Sequence, residues 1–183
     1  EIKKGRNLLA FEVAKRNVYN FLKLEKTALE NGDKVQIIAL EQTYERLLED
    51  NRLPIPVLIK GNVDRIELRN GKIRIIDYKT GKVEQKNVTL KDWKGLTEDI
   101  KNDKIIQILA YAFMYEPEAK GLDIEAGIIS FKNLKNGFLP FNFIENKEVS
   151  EVISPEIMES YLEEVVVLLN EILSVAVAFE EKL

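Results

Sequence analysis

At 183 residues and 45% apolar content, the chain has the size of one domain and enough apolar side chains to fill a core. It contains no cysteine, which excludes disulfides and thiolate metal sites and fits a reducing cytoplasm. A net charge of −4 does not advertise a nucleic-acid binder, and no stretch matches the roughly 18 consecutive apolar residues of a membrane span.

From Lys4 to Glu30 the spacing predicts a helix with Leu8, Phe11, Ala14, Val18, Phe21 and Leu22 as its apolar stripe, closed by Asn31-Gly32. Residues 35–48 are ambiguous. Val35, Ile37, Ile38 and Leu40 suit a strand, whereas Glu45-Arg46-Leu47-Leu48 suits a helix. Next, the pair Asn70-Gly71 between two apolar runs predicts a β-hairpin over roughly 55–68 and 72–80, with Pro54 and Pro56 at its beginning.

A two-residue loop there sets Leu68 against Ile73, Ile66 against Ile75, Asp64 against Asp77 and Asn62 against Lys79. Side chains alternate along a strand, so these pairs share one side of the sheet. On the other side Glu67 opposes Arg74, which reads as an exposed ion pair. Directly opposed residues have Cβ atoms roughly 4.5–5.5 Å apart, and like charges there are destabilising. Something positive between Asp64 and Asp77 would resolve the repulsion, and a hard cation such as Mg²⁺ takes oxygen ligands. Lys79 lies about 6.6 Å along the strand from Asp77 on the same face, where its ammonium can steady a hydroxide or a phosphoryl oxygen. Spacing alone also admits an acid pair in solvent at a strand end, with Lys79 as its neutralising partner.

Residues 82–101 are polar and without periodicity, and read as a loop over this site. Trp93 anchors that loop to the body, with stacking on a base as the other role open to it. A helix follows from near Asp103 to Tyr115 and ends at Glu116-Pro117. Ile124–Phe131 and Phe138–Ile144 read as two strands joined by Asn136-Gly137. Ser154-Pro155 then opens a long helix whose face is Ile157, Tyr161, Leu162, Val165, Leu168, Leu169, Ile172 and Leu173. The tail Val175–Phe179 is apolar enough to contact another part of a longer protein. Basic residues gather around the hairpin: residues 60–104 hold 12 Lys/Arg against 8 Asp/Glu, while the remainder is acidic, as contact with backbone phosphates requires.

Three motifs in order resemble the RecB-like branch of the PD-(D/E)XK nuclease superfamily. They are Gly61-Asn62-Val63-Asp64-Arg65-Ile66-Glu67, then Ile75-Ile76-Asp77-Tyr78-Lys79-Thr80-Gly81-Lys82, then Gln107-Ile108-Leu109-Ala110-Tyr111. The chain is most similar to the C-terminal nuclease module of AddB- or RecB-type helicase–nucleases. The resemblance implies an α/β (α+β) fold with a small mixed sheet flanked by helices and a restriction-endonuclease-like core, and it tips residues 35–48 towards a strand. It implies Asp64, Asp77 and the Tyr78 carbonyl as ligands of Mg²⁺ or Mn²⁺, Lys79 as the catalytic lysine, and Gln107 and Tyr111 as residues touching the DNA backbone. The implied activity is metal-dependent, exonuclease-type DNA hydrolysis in recombination or repair, in the cytoplasm and beside a helicase domain or subunit. A nuclease-like module that binds DNA or a helicase without cutting is the alternative.

Two features of the resembled branch are missing. Its further ligand, a His or Glu on a helix upstream of the sheet, has no histidine to fill it, and Glu12, Glu25 and Glu41 stand in no matching context. The iron–sulfur cluster of several relatives is excluded by the lack of cysteine. The chain starts without methionine and inside a helical pattern, so residues 1–183 are expected to be one nuclease-like domain cut from a longer helicase–nuclease, with the missing ligand before Glu1.

Overall fold

A computed structural model describes residues 4–176. Helix α1 spans Gly5–Glu30. Its exit follows the expected Asn31-Gly32 turn, with the Asn31 N–H donating to the Thr27 carbonyl at 3.0 Å and the Asp33 N–H to Ala28 at 3.1 Å. Three antiparallel strands follow, β1 (Val35–Leu48), β2 (Val57–Arg69) and β3 (Lys72–Lys79). The ambiguous segment is therefore a strand. Asn70 and Gly71 take the positive φ values of 52° and 88° that the tight hairpin needs. The register is the expected one, with Leu68 opposite Ile73, Ile66 opposite Ile75 and Glu67 opposite Arg74.

Residues 82–102 hold more structure than a loop: a 3-10 turn at Gln85–Val88, a short strand β4 (Thr89–Leu90) and a second turn at Ile100–Asn102. Val83, Val88, Leu90 and Leu96 are buried there, which the lack of periodicity concealed. Trp93 packs on Phe143 and Phe141 with ring centroids 5.1 and 6.2 Å away, so it anchors this segment. Helix α2 (Asp103–Tyr115) crosses the sheet and leads into β5 (Ile124–Ser130), which pairs parallel with β3. Every residue of β5 is buried, as befits a strand covered on both faces.

The segment expected as one strand over 138–144 is two. Residues β6 (Phe138–Pro140) pair with β5, whereas β7 (Asn142–Glu145) pairs with β4 and with β8 (Glu148–Ser150) in a second, three-stranded sheet. Pro140 has no N–H to extend a ladder, and the fully buried Phe141 turns the chain from one sheet to the other. Helix α3 (Pro155–Leu173) starts as expected, with Ser154 Oγ accepting the Ile157 N–H at 3.3 Å. Of its expected face, Ile157, Tyr161 and Val165 are buried, whereas Ile172 stays exposed. Val175 and Ala176 are exposed, and the rest of the apolar tail lies outside the described residues.

The main sheet runs β1-β2-β3-β5-β6. On one face α2 packs Ile105, Ile108, Leu109 and Ala112 into a core with Ile66, Ile73 and Ile75, and α3 hydrogen-bonds α2 through the Tyr161 hydroxyl, which donates to the Ile106 carbonyl at 3.2 Å. On the other face lies α1, held differently than its apolar spacing predicts. Of the expected stripe, Leu8, Phe11, Val18 and Leu22 are exposed and Phe21 turns towards the protein, joined there by Asn17, Glu25 and Ala28. The sheet under α1 presents Arg65, Glu67 and Arg69 beside Tyr78, so that helix docks by the ion pairs of Glu25 together with the ring of Phe21.

At Gly127, in the middle of β5, a Cβ would lie 2.2 Å from the Leu139 carbonyl oxygen and 2.8 Å from the Phe138 ring. Only glycine lets β5 and β6 approach so closely.

Candidate active site

The site forms where β2 and β3 part. Their pairing runs from Arg69/Lys72 to Arg65/Ile76 and stops there. One residue further, Asp64 Oδ2 accepts the main-chain N–H of Tyr78 at 2.7 Å, taking the place of a ladder bond. Asn62 does not meet Lys79; it bonds across to β1, donating to Glu41 Oε2 at 3.1 Å. Two irregularities explain the parting. Ile66 and Gly61 both face α2, yet they are five positions apart, an odd step that regular alternation forbids; their partners Ala39 and Tyr44 repeat it on β1. Glu41, between the partners of Arg65 and Val63 and so across from Asp64, carries the break with φ at +48°.

Asp77 projects from β3 towards α2 and is 3% exposed. Lys79 Nζ lies 2.8 Å from Asp77 Oδ2 and donates to Gln107 Oε1 at 2.9 Å. Gln107 in turn donates to the Tyr111 hydroxyl at 2.7 Å, one turn along α2. Gly61 makes room for this row, because a Cβ there would press on the Tyr111 ring at 3.0 Å. All five side chains singled out in the sequence, Asp64, Asp77, Lys79, Gln107 and Tyr111, thus come together.

Burial pushes the Asp77 carboxyl above its ordinary range; Lys79 opposes that shift, and the neighbouring Asp64 charge adds to it. Burial, with the charges of Asp77 and Asp64 added, likewise raises the Tyr111 hydroxyl. The Asp77 oxygen nearest Lys79 has an ion contact but no aligned hydrogen bond. A buried carboxylate that faces a single ammonium and stands beside a second carboxylate fits a divalent cation, for which Asp64, Asp77 and the Tyr78 carbonyl supply oxygen donors.

The candidates for a further ligand lie elsewhere. Glu12 is exposed on α1. Glu25 faces the opposite side of the sheet, accepting from Arg65 at 3.0 Å and from Arg69 at 2.8 Å. Glu41 is exposed and bonded to Asn62. Among the described residues no three acidic side chains are placed to hold a metal ion.

The ion pair expected between Glu67 and Arg74 is not made, although the two residues are opposed. Glu67 is fully buried under α1 between Arg65 and Arg69, and Arg74 turns to Glu125 at 3.0 Å while stacking over Phe138. The alternation Arg65-Glu67-Arg69 was the sequence signal for this: charges two apart share one face of a strand, and three of them require a covering partner. The lysines near the site are partly engaged as well. Lys82 and Lys86 bracket Glu84 at 2.7 and 3.0 Å and hold its carboxyl down at about 2, while Lys91 and Lys94 stay exposed.

A family model of the PD-(D/E)XK nuclease superfamily matches residues 9–182, and the chain belongs to that superfamily. The mixed five-stranded sheet with flanking helices agrees with its restriction-endonuclease-like fold. Nucleases of this superfamily usually work with divalent metals such as Mg²⁺ or Mn²⁺. No curated protein matches the chain. Among solved structures, that of SSO0001 is similar over 93% of this chain and 78% of its own, at 16% identity and a TM-score of 0.30, too low to bear on the argument. No helix among the described residues is long and apolar enough to cross a membrane.

Proposed function

We propose that this chain is a metal-dependent DNA nuclease module. The observation that carries the reading is the meeting of Asp64 and Asp77 beside Lys79, with Gln107 and Tyr111 aligned on the facing helix. Asp64, Asp77 and the Tyr78 carbonyl hold the cation, which when bound supplies an activated water and charge stabilisation at the leaving oxygen. Lys79 sits between Asp77 and Gln107, where its ammonium can reach a phosphoryl oxygen. Gln107 and Tyr111 then position the DNA backbone, and the exposed Lys91 and Lys94 add attraction for phosphates.

The same resemblance that names these residues supports a place in recombination or repair, in the cytoplasm and beside a helicase domain or subunit. Exonuclease-type cleavage belongs to that reading. Incubation of linear DNA with the chain in Mg²⁺ or Mn²⁺ tests it: cleavage that Asp77→Ala and Lys79→Ala abolish supports the assignment, and cleavage that survives Asp77→Ala refutes it.

One observation favours a second reading, a module that binds DNA but cuts weakly. With no third acidic side chain at the site among the described residues, water is left to complete the cation's shell. A loosely held cation misplaces the attacking water, and about 1 Å of misplacement costs roughly a hundredfold in rate. DNA binding without cleavage would identify this case.

A further inference from the structure

The two faces of the sheet meet in Tyr78. Its main-chain N–H orients Asp64 at 2.7 Å, its carbonyl is a proposed ligand, and it follows Asp77 directly in the chain. Its side chain points to the other face. There the Phe21 ring of α1 meets it edge-on at 5.6 Å, Phe131 lies 5.6 Å away, and Arg65 donates to its hydroxyl at 3.3 Å. Arg65 is itself held by Glu25 of α1 at 3.0 Å. None of the described residues of α1 is buried, and the same two side chains also reach Arg69, which donates to Glu25 at 2.8 Å, and Phe131, 6.0 Å from the Phe21 ring. Two of the contacts that dock α1 thus lead to the residue that sets the two acids, Phe21 directly and Glu25 through Arg65.

We propose that Glu25, Arg65 and Phe21 are positioning residues for the cation site, acting through Tyr78, so that docking of α1 and occupancy of the site stabilise each other. The proposal rests on the cation reading given above. Reciprocity is obligatory: if a docked α1 favours the arrangement that binds the cation, the cation favours a docked α1 by the same factor. A guanidinium between Glu25, Glu67 and Tyr78 is a suitable link, because its planar donors fix direction as well as charge.

Amide hydrogen exchange over residues 17–28 and Mn²⁺ titration of the full chain test this together. Saturating Mn²⁺ should slow exchange in that segment about fivefold, and Glu25→Gln and Phe21→Leu should each weaken Mn²⁺ binding by about fivefold. Glu30→Gln, on the same helix but paired only with the exposed Lys26, should bind Mn²⁺ as the parent does. A purely structural role for α1 would not make its exchange depend on Mn²⁺. Mn²⁺ binding that Asp77→Ala abolishes, with α1 exchange indifferent to the metal and both α1 variants binding normally, overturns this proposal alone. No Mn²⁺ binding by the parent, or undiminished binding by Asp77→Ala, overturns the cation reading and this proposal with it.

Discussion

Tyr78 donates its main-chain N–H to Asp64 Oδ2 at 2.7 Å, so the strand that carries one acid of the site orients the other. Asp64 is thereby fixed by backbone, which does not rotate, while Asp77 is fixed by burial and by Lys79. Each acid has a different support, and variants should separate them.

Removing Asp77 should remove the cation. A ligand that binds only the folded state, present at a hundredfold excess over its dissociation constant, stabilises by about 2.7 kcal/mol. Thermal melts with and without Mn²⁺ should show that rise in the parent chain and lose it in Asp77→Ala. An equal rise in both places the cation elsewhere.

Lys79→Ala should cut turnover while leaving DNA affinity nearly intact. Its ammonium neutralises Asp77 in the resting site and would act on charge that develops in the reaction; one such contact is typically worth about a hundredfold or more in rate. Single-turnover cleavage beside a binding isotherm makes the separation. Equal loss in both reduces Lys79 to phosphate attraction.

Glu67→Ala should destabilise the fold by about 3–5 kcal/mol, because it leaves Arg65 and Arg69 buried without the one acid that lies between them, with Glu25 and Asp33 as their remaining partners. Urea unfolding measures the loss. Glu67 is also where sequence and structure part most instructively. The hairpin register was legible from Asn70-Gly71 and the apolar alternation, and the five site residues from three spaced motifs. Which face α1 would cover was not. The apolar periodicity of α1 points to Leu8, Phe11, Ala14, Val18, Phe21 and Leu22, of which only Phe21 docks, on Tyr78 and Phe131; the other docking residue, Glu25 with two arginines, is a charge that an apolar period does not count. Phe141 defeats the reading for a related reason: the change of sheet after Pro140 depends on β4, a two-residue partner too short to be seen in sequence.

Gly127→Ala should be among the most damaging single changes in the chain. Its methyl group has a main-chain carbonyl 2.2 Å away, which cannot swing aside as a side chain can. A melting temperature within a degree or two of the parent would show that β6 is free to move off β5.

Acid should weaken the β3–β5 pairing through Glu125. Burial raises its carboxyl, but hydrogen bonds and charge from Lys72 and Arg74 outweigh that and hold it below its ordinary range. A carboxyl depressed in the folded state stabilises above its unfolded value, and that contribution is lost as pH falls through the folded one. Glu125→Gln should therefore flatten the decline in stability on the acid side of the ordinary carboxylate range, measured by urea midpoints across pH. An unchanged slope would mean that other carboxylates govern it.

Strand β1 forms one border of the main sheet, 14 residues long, with Ile37, Ile38, Leu40 and Leu47 exposed along it. A straight border of that length and composition is a template on which another chain can add itself, strand by strand, towards a fibril. The left-handed residue Glu41 interrupts it near the middle, so the free N–H and C=O groups on its two sides no longer form one continuous row. The irregularity that parts β2 from β3 and opens the site therefore also breaks the border, a second break being the register shift between Ile37 and Ala39, and the pieces left are short and poor footholds for self-assembly.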